Sequence, residues 1–314
     1  MTSLGIEVGA CPAQYGRTGG DLFGKEGSDP MKTRTKLGMV ATVSAIAMLA
    51  TVADARHQWR KYEWAYDGTE IDAPVIDNTS GGGWSTRVAK AVNDWNKSSR
   101  IEAQIPVPKG TNTNCNFVLG QIQVCNADYG STGWLGIASI SINGNEIIAG
   151  YTKLNDYYFN QPSYNTEDWK QLVTCQEIGH DYGLAHQNEN FMTDATASCM
   201  EYTSWPEGNT TPDQHDYDQL EAMYTVSDGT TGGGGKGGKP GGKPATLPSV
   251  GNTPDSWGNP IEFLPNGKPH VYERQFKSYR VITHVTWTIE AAAEQGDHHD
   301  SGPRQHSGDR HFDF

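Results

Sequence analysis

The chain has 314 residues, of which 35% are hydrophobic, and a formal net charge of −13. This length allows one sizeable domain with tails, or two small domains. The negative charge argues against nucleic acid as a partner, because no surplus of basic side chains could neutralise a row of phosphates. Otherwise the acidity is a property that favours solubility.

Residues 31–55 have the pattern of a secretory signal peptide. Three basic side chains follow Met31, an apolar run covers residues 37–52, and the segment ends on the small-x-small sequence Ala-Asp-Ala. The run is short for a bilayer and is interrupted by polar residues and glycine, which weighs against an uncleaved membrane anchor. We therefore predict a non-native leader at residues 1–30, cleavage before Arg56, and a secreted or periplasmic protein without a stable membrane span.

Four cysteines remain after the predicted signal, and Cys11 falls in the leader. An even number in an oxidising compartment predicts disulfides, for which three pairings are possible. Proximity in the sequence favours Cys115–Cys125 and Cys175–Cys199. A zinc site built from all four cysteines is the competing interpretation, but no pair has C-x-x-C spacing.

Residues 56–228 have the mixed composition of a globular domain, and its elements follow in chain order. Apolar residues recur at intervals of three and four over Trp84–Lys97, which predicts a helix. Alternation of apolar and polar residues predicts a strand at Ile101–Val107. Two further strands are predicted at Trp134–Ile142 and Glu146–Leu154, because Asn143-Gly144 between them is a strong hairpin turn.

Two more helices are predicted in the second half of this domain. One begins after Asn165 or Thr166 as N-cap, carries acidic residues in its first turn, and continues past residue 176. The last helix is predicted from about Pro212 or Asp213 to Tyr224.

The chain beyond residue 228 falls into three predicted parts. Residues 229–250 are rich in Gly, Lys and Pro, which is typical of a flexible linker. Residues 251–292 suggest a small three-stranded β unit, which is too small for much core of its own and would dock on the main domain or need a partner. The histidine-containing tail at 293–314 is predicted to be a solvated, disordered segment, with metal scavenging as the alternative.

Residues 176–186 read Gln-Glu-Ile-Gly-His-Asp-Tyr-Gly-Leu-Ala-His. On a helix, Gln176 and His180 lie on one face and could hold one metal ion, with the carboxylate of Glu177 between them. Gly183 can adopt a positive φ, which would end the helix and bring His186 back as a third ligand. An ordinary amphipathic helix with incidental histidines is the alternative, but it leaves the glycine without a role.

This pattern resembles the signature of the metzincin metallopeptidases, His-Glu-x-x-His-x-x-Gly-x-x-His, from which only Gln176 departs. Residues 198–202, Ser-Cys-Met-Glu-Tyr, are similar to the methionine turn of that family. The resemblance covers residues 57–228. It implies an α+β fold with a small mixed sheet, an active-site helix and a Met-turn. A Cys175–Cys199 bond would then hold the helix to that turn.

The resemblance also implies a function, namely a secreted zinc-dependent endopeptidase acting on a peptide or protein substrate. Zinc would activate a bound water, from which a general base takes a proton. The implied roles are zinc ligands for Gln176, His180 and His186, general base for Glu177, oxyanion donor for Tyr202, and the floor of the site for Met200.

The first predicted hairpin strand has an implied role as well. As the upper edge of the cleft, it would bind an extended substrate by main-chain hydrogen bonds. The residues concerned are Trp134, Leu135, Gly136, Ile137 and Ala138. A hairpin strand without a substrate role is an equal alternative.

Gln176 leaves three outcomes open, because an amide oxygen is a weaker zinc ligand than an imidazole nitrogen. It ligates zinc itself with Tyr202 as an additional ligand, it holds a water that ligates, or the metal is lost. We favour retained metal and catalysis, because a disused site needs no general base such as Glu177. The alternatives are a catalytically inactive, exported binding module and a structural surface protein held by disulfides. The oligomeric state is not indicated.

Overall fold

The computed structural model describes residues 57–191, 196–225 and 247–294. The predicted leader, signal peptide, most of the linker and most of the tail lie outside these residues. The described part has an α+β fold with one mixed sheet of eight strands and six helices. No helix in the described ranges is long and apolar enough to cross a membrane.

The elements follow one another in an irregular alternation. In chain order they are β1 (Glu63–Trp64), β2 (Val75–Asp77), α1 (Trp84–Trp95), β3 (Ile122–Ala127), β4 (Trp134–Asn143), β5 (Glu146–Asn155), α2 (Asp156–Phe159), α3 (Glu167–Asp181), α4 (Gln214–Met223), α5 (Pro254–Trp257), β6 (Asn259–Phe263), β7 (Pro269–Phe276), β8 (Tyr279–Trp287) and α6 (Ile289–Ala293).

The sheet has the strand order β2-β3-β5-β4-β8-β7-β6, with β1 also paired to β5. Strands β2, β3 and β5 are parallel, while β4 is antiparallel to both of its neighbours. Strands β6, β7 and β8 form an antiparallel meander. The predicted carboxy-terminal β unit therefore continues the main sheet through β8. Of the two predicted alternatives, docking on the main domain is the one observed.

Strands β4 and β5 form the predicted hairpin at the centre of the sheet. They pair from Gly136 with Leu154 to Asn143 with Glu146, and Gly144 has a φ of +66° in the turn. Nine of the ten residues of β4 are buried. Its side chains enter two apolar cores, one on each face of the sheet.

The first predicted helix and the strand after it have different outcomes. Helix α1 begins at Trp84 as predicted, ends at Trp95, and buries its apolar stripe. The predicted strand at Ile101–Val107 is wrong, because within it only Ile101 makes a bridge, to Ile71. Ile105 precedes a cis proline and is 54% exposed. Pro106 has no backbone N–H to donate to a neighbouring strand. The alternating apolar and polar residues of this segment therefore do not form a paired strand.

Helix α3 lies against the sheet and is almost entirely enclosed. Thr166 is its N-cap, and the Thr166 hydroxyl accepts a hydrogen bond from the backbone N–H of Trp169 at 3.2 Å. Twelve of its fifteen residues are buried, including several polar ones. Helix α4 is capped by Asp213, one of the two predicted starting residues.

Both favoured disulfides are present. Cys115 is bonded to Cys125, and Cys175 is bonded to Cys199. The second bond ties α3 to the turn that contains Met200. This bond fixes the helix and the turn in register beside the candidate site.

Candidate metal centre

The carboxy-terminal end of α3 brings two histidines together. The helix ends at Asp181, and Gly183 has a φ of +92°. A Cβ on Gly183 would lie 2.6 Å from the carbonyl oxygen of Tyr62, so this turn requires glycine for space as well as for backbone conformation. The chain then turns back, and Nε2 of His186 lies 3.2 Å from Nε2 of His180.

His180 is held in one ring orientation. Its Nδ1 lies 2.8 Å from the carbonyl oxygen of Leu184, so Nδ1 carries the hydrogen and Nε2 keeps the lone pair. The ring stacks on Trp59 with a centroid distance of 4.8 Å. Burial, followed by the neighbouring His186, holds the pKa of His180 well below its usual range. The side chain is therefore a neutral imidazole with its free nitrogen facing His186.

A third histidine, His284, comes from strand β8. Its ring centroid lies 3.8 Å from that of His180 and 4.6 Å from that of His186. One ligand nitrogen from each of these three side chains lies within 4.8 Å of the others. Nδ1 of His284 lies 3.2 Å from Oε2 of Glu177, and its Nε2 has no partner although it is buried. The sequence pattern did not single out this residue, because it stands alone in a strand far from the motif.

The polar atoms of Gln176 are used elsewhere, which differs from its predicted role as a ligand. Its Nε2 donates to the carbonyl oxygens of Cys199 and Glu201, both at 2.9 Å. Its Oε1 accepts from the Thr286 hydroxyl at 2.7 Å. Gln176 thereby joins α3, the Met-turn and β8. His284, which the motif does not include, stands with the two predicted histidines.

Glu177 lies beside the three histidines and is completely buried. Its Oε1 has no hydrogen-bond partner. Gly136 of β4 faces this carboxylate, and a Cβ there would lie 2.9 Å from Oε1 and 2.5 Å from Cγ1 of Val173. Burial raises the pKa of Glu177 to about 8, so the side chain holds a proton at neutral pH unless a positive charge is close.

Met200 and Tyr202 lie on the other side of the helix end. A Cβ on Gly179 would come within 2.5 Å of Sδ of Met200, so the methionine packs directly against the helix. Tyr202 is buried with its ring centroid 5.0 Å from that of His186. Its hydroxyl oxygen accepts a hydrogen bond from the backbone N–H of Trp287 at 3.0 Å. The turn at residues 198–202 therefore packs against the helix and His186, and Tyr202 also contacts the end of β8.

The predicted substrate-binding edge is not free in this fold. Strand β8 pairs with β4 over the residues concerned: Gly136 is opposite Thr286, Ile137 opposite Val285, and Ala138 opposite His284. Leu135 lies within the same stretch, and Trp134 is paired with Trp287. The prediction that this strand is a substrate-binding edge is therefore wrong. The main-chain groups of β4 that would bind a peptide are already hydrogen-bonded to β8.

The spacing of His180 and His186 is compatible with two ligands of a tetrahedral zinc ion. Two nitrogens about 2.0 Å from such an ion lie about 3.3 Å apart, close to the 3.2 Å between His180 and His186. Zinc-bound histidines usually donate their other ring nitrogen to a carbonyl or carboxylate. Leu184 provides a carbonyl for His180, and Glu177 provides a carboxylate for His284. Imidazole also suits copper, iron and nickel, so the donor set alone does not select zinc.

Comparison with known proteins adds no further assignment. No known protein family matches this chain, and no curated protein matches it either. The residues of the site and their geometry are therefore the basis for a functional assignment.

Proposed function

We propose that the chain is an exported zinc-dependent peptidase of metzincin type in which His284 takes the ligand position that the motif gives to residue 176. The ligands would be His180, His186 and His284, and Glu177 would be the general base. The finer fold assignment, a metzincin-like domain with a Met-turn, belongs to the same proposal. It is supported by the order of the elements: hairpin, active-site helix, Met-turn and closing helix.

One observation carries the proposal. Three buried histidines offer nitrogens within 4.8 Å of one another, and a buried carboxylate oxygen without a partner lies next to them. Leaving Nε2 of His284 and Oε1 of Glu177 desolvated and unpaired costs about 1–3 kcal/mol each. A bound cation and its water would satisfy these groups, so the cluster is better explained as a metal centre than as part of the core.

The residues of the chain would divide the chemistry among them. Bound zinc supplies Lewis acidity and lowers the pKa of a coordinated water towards about 7. Glu177 would accept the proton of that water at Oε1, since its pKa would fall below 8 beside a dication. The Tyr202 hydroxyl accepts from Trp287 and keeps its own hydrogen for a developing oxyanion.

The enclosure of the site favours a second candidate, a non-catalytic exported module that binds zinc. His180, His284 and Glu177 are all completely buried. A cavity of about 10 Å³ lies beside Gln176 and Tyr202, which is room for roughly one water molecule. A peptide on β4 would have to displace β8, and with it His284. Hydrolysis of an extended substrate therefore requires movement of β8, whereas zinc binding does not.

Two measurements on the purified mature protein test these candidates. Elemental analysis gives the zinc content, and cleavage of an unfolded protein substrate gives the activity, with Glu177→Gln as the control of unchanged shape. One zinc per chain with cleavage that the variant abolishes supports the peptidase. One zinc per chain without cleavage supports the binding module. Absence of zinc under saturating conditions would contradict both.

A further inference from the structure

A second group of potential ligands lies on the outer side of His186. His270 of β7 stacks against the His186 ring, with centroids 5.7 Å apart and planes inclined by 17°. Oε1 of Glu189 lies 3.4 Å from Nε2 of His270 and 3.9 Å from Nδ1 of His186. One ligand atom from each of the three side chains lies within 4.8 Å of the others.

The burial of the His270 ring and its lack of hydrogen bonds indicate that it binds a ligand. Its side chain is 1% exposed, and neither ring nitrogen has a hydrogen-bond partner. A buried imidazole with no hydrogen bond, and with one carboxylate oxygen 3.4 Å from Nε2, is costly, because most of its lost hydration is not replaced. Glu189, by contrast, has a side chain that is 34% exposed and links this pocket to solvent.

His186 belongs to both groups through different atoms. Its Nε2 faces His180 in the inner cluster, and its Nδ1 faces Glu189 in the outer one. A neutral imidazole has a hydrogen on one nitrogen and a lone pair on the other, so it can serve one metal ion at a time. The two groups therefore compete for a single lone pair.

We propose that Glu189, His270 and Nδ1 of His186 form an outer binding site for a divalent transition-metal ion, which loads the buried inner site. The partly exposed carboxylate would hold the ion first. For the inner group to hold the ion instead, Nδ1 of His186 would have to release it and take up a hydrogen, and Nε2 would have to lose its hydrogen, so that the lone pair faces His180 and His284. The outer site shares His186 with the proposed metal centre but does not depend on catalysis.

Cobalt(II) provides the test, because its visible spectrum reports both occupancy and ligand set. The full chain is freed of metal and titrated with Co²⁺. We expect one equivalent in the wild type, and one equivalent with a changed spectrum and weaker affinity in His180→Gln/His284→Gln, where only the outer site remains. Adding His270→Gln to that variant should abolish binding. His215→Gln, a histidine outside both groups, is the control.

The loading rate gives a measurement that does not require the inner ligands to be changed. Local charge raises association rates by roughly 10- to 1000-fold, so Glu189→Gln should slow Co²⁺ uptake at least about tenfold. His270→Gln should also slow it, because it removes a ligand of the outer site. Both variants should keep the final spectrum of the wild type, and His215→Gln should load at the wild-type rate.

The outcomes separate this proposal from the proposed metal centre. A natively folded His180→Gln/His284→Gln variant that binds no Co²⁺, or unchanged loading in Glu189→Gln and His270→Gln, would overturn the outer site alone. Two equivalents in the wild type would overturn the competition for His186. Loss of all binding in His270→Gln would leave the outer site as a binding site, but it would remove the inner centre and with it the loading role.

Discussion

Helix α3 and the strands β7 and β8 bring polar side chains to the same cluster, but they leave them in different states. On the helix, Gln176 makes three hydrogen bonds, and Nδ1 of His180 has a carbonyl partner. On the strands, Nε2 of His284 and both ring nitrogens of His270 have none. Folding alone satisfies Gln176 and Nδ1 of His180, whereas Nε2 of His284, Nδ1 of His270 and Oε1 of Glu177 remain without a hydrogen-bond partner.

This contrast indicates which side chains a bound metal ion would stabilise. Since an unpaired buried nitrogen costs about 1–3 kcal/mol, a cation at the cluster would stabilise mainly the strand side. The helix and Met-turn, joined by the Cys175–Cys199 bond and by Gln176, would keep their geometry without it. We therefore expect the helix to provide a preformed half-site and the strands to provide the half that depends on metal.

Loss of the β8 ligand His284 should reduce zinc affinity more strongly than any other change considered below. Binding of structural zinc amounts to about 10–16 kcal/mol, so one ligand of three is worth about 3 kcal/mol or more. His284→Ala should therefore weaken zinc binding at least about a hundredfold in competition with a chelator. Thr283→Ala is the matched control, because Thr283 is its neighbour on β8 and bonds to Ser139 instead. Equal affinity in the two variants would refute the assignment of His284.

A smaller effect is expected from the helix side, and it should be on stability instead of affinity. Gln176→Ala removes the hydrogen bonds to the carbonyl groups of Cys199 and Glu201 and to the Thr286 hydroxyl, which should lower the free energy of unfolding by about 2–4 kcal/mol. Denaturant unfolding measures this loss. Zinc affinity of the folded variant should stay near that of the wild type.

A variant at residue 176 tests whether this position of α3 is a zinc ligand. Gln176→His restores the residue that the motif lacks, and a ligand at this position would tighten zinc binding. Because the amide bonds to Cys199, Glu201 and Thr286 occupy this side chain, we expect no gain in affinity and a loss of stability. A gain of tenfold or more, roughly 1.4 kcal/mol, would restore the original assignment.

The smallest effect concerns a buried histidine outside both metal groups. Burial lowers the pKa of His57 to about 4, and its Nδ1 lies 3.1 Å from the carbonyl oxygen of Ala185. The folded state therefore takes up this proton less readily than the unfolded state, where the pKa is about 6.5, and stability is lost as the pH falls from 6.5 towards 4. Burial raises the pKa of the neighbouring Asp216 to about 7, which has the opposite sign.

Comparison with His57→Gln isolates this contribution from that of Asp216. Between pH 7 and pH 5, the unfolding free energy of the variant relative to the wild type should rise by about 1–2 kcal/mol. Thermal or denaturant unfolding at the two pH values measures it. A constant difference would mean that His57 is not buried as a neutral ring.

Several parts of the site could be predicted because their causes are local. Gly183 ends the helix through a backbone conformation that only glycine adopts without strain, and this places His186. The hairpin at Gly144 and the cap at Thr166 follow from turn and capping preferences of single residues. Neighbouring cysteines paired as their spacing favoured.

Other parts could not be predicted, because their causes lie far apart in the chain. Nothing near His284 or His270 marks either as special, and each gains its role only when its strand joins the sheet. The pairing of Ala138 with His284 also decides that the edge of β4 is covered. Gln176 is the opposite case: its position in the motif predicted a metal ligand, but distant residues occupy its amide. These partners are Cys199, Glu201 and Thr286.

The order of residues was enough to predict a helix that carries Glu177 and His180, a glycine turn that returns His186, and a disulfide from that helix to the turn that contains Met200. These features depend on interactions over a few residues, or on a short covalent loop, so residue types in order are enough to specify them. The tertiary structure was needed to show that β8 pairs with β4, that β7 pairs with β8, and that these strands bring His284 and His270 beside His186. Strand pairing over such separations is set by the burial of whole faces of the sheet, and no local pattern contains it.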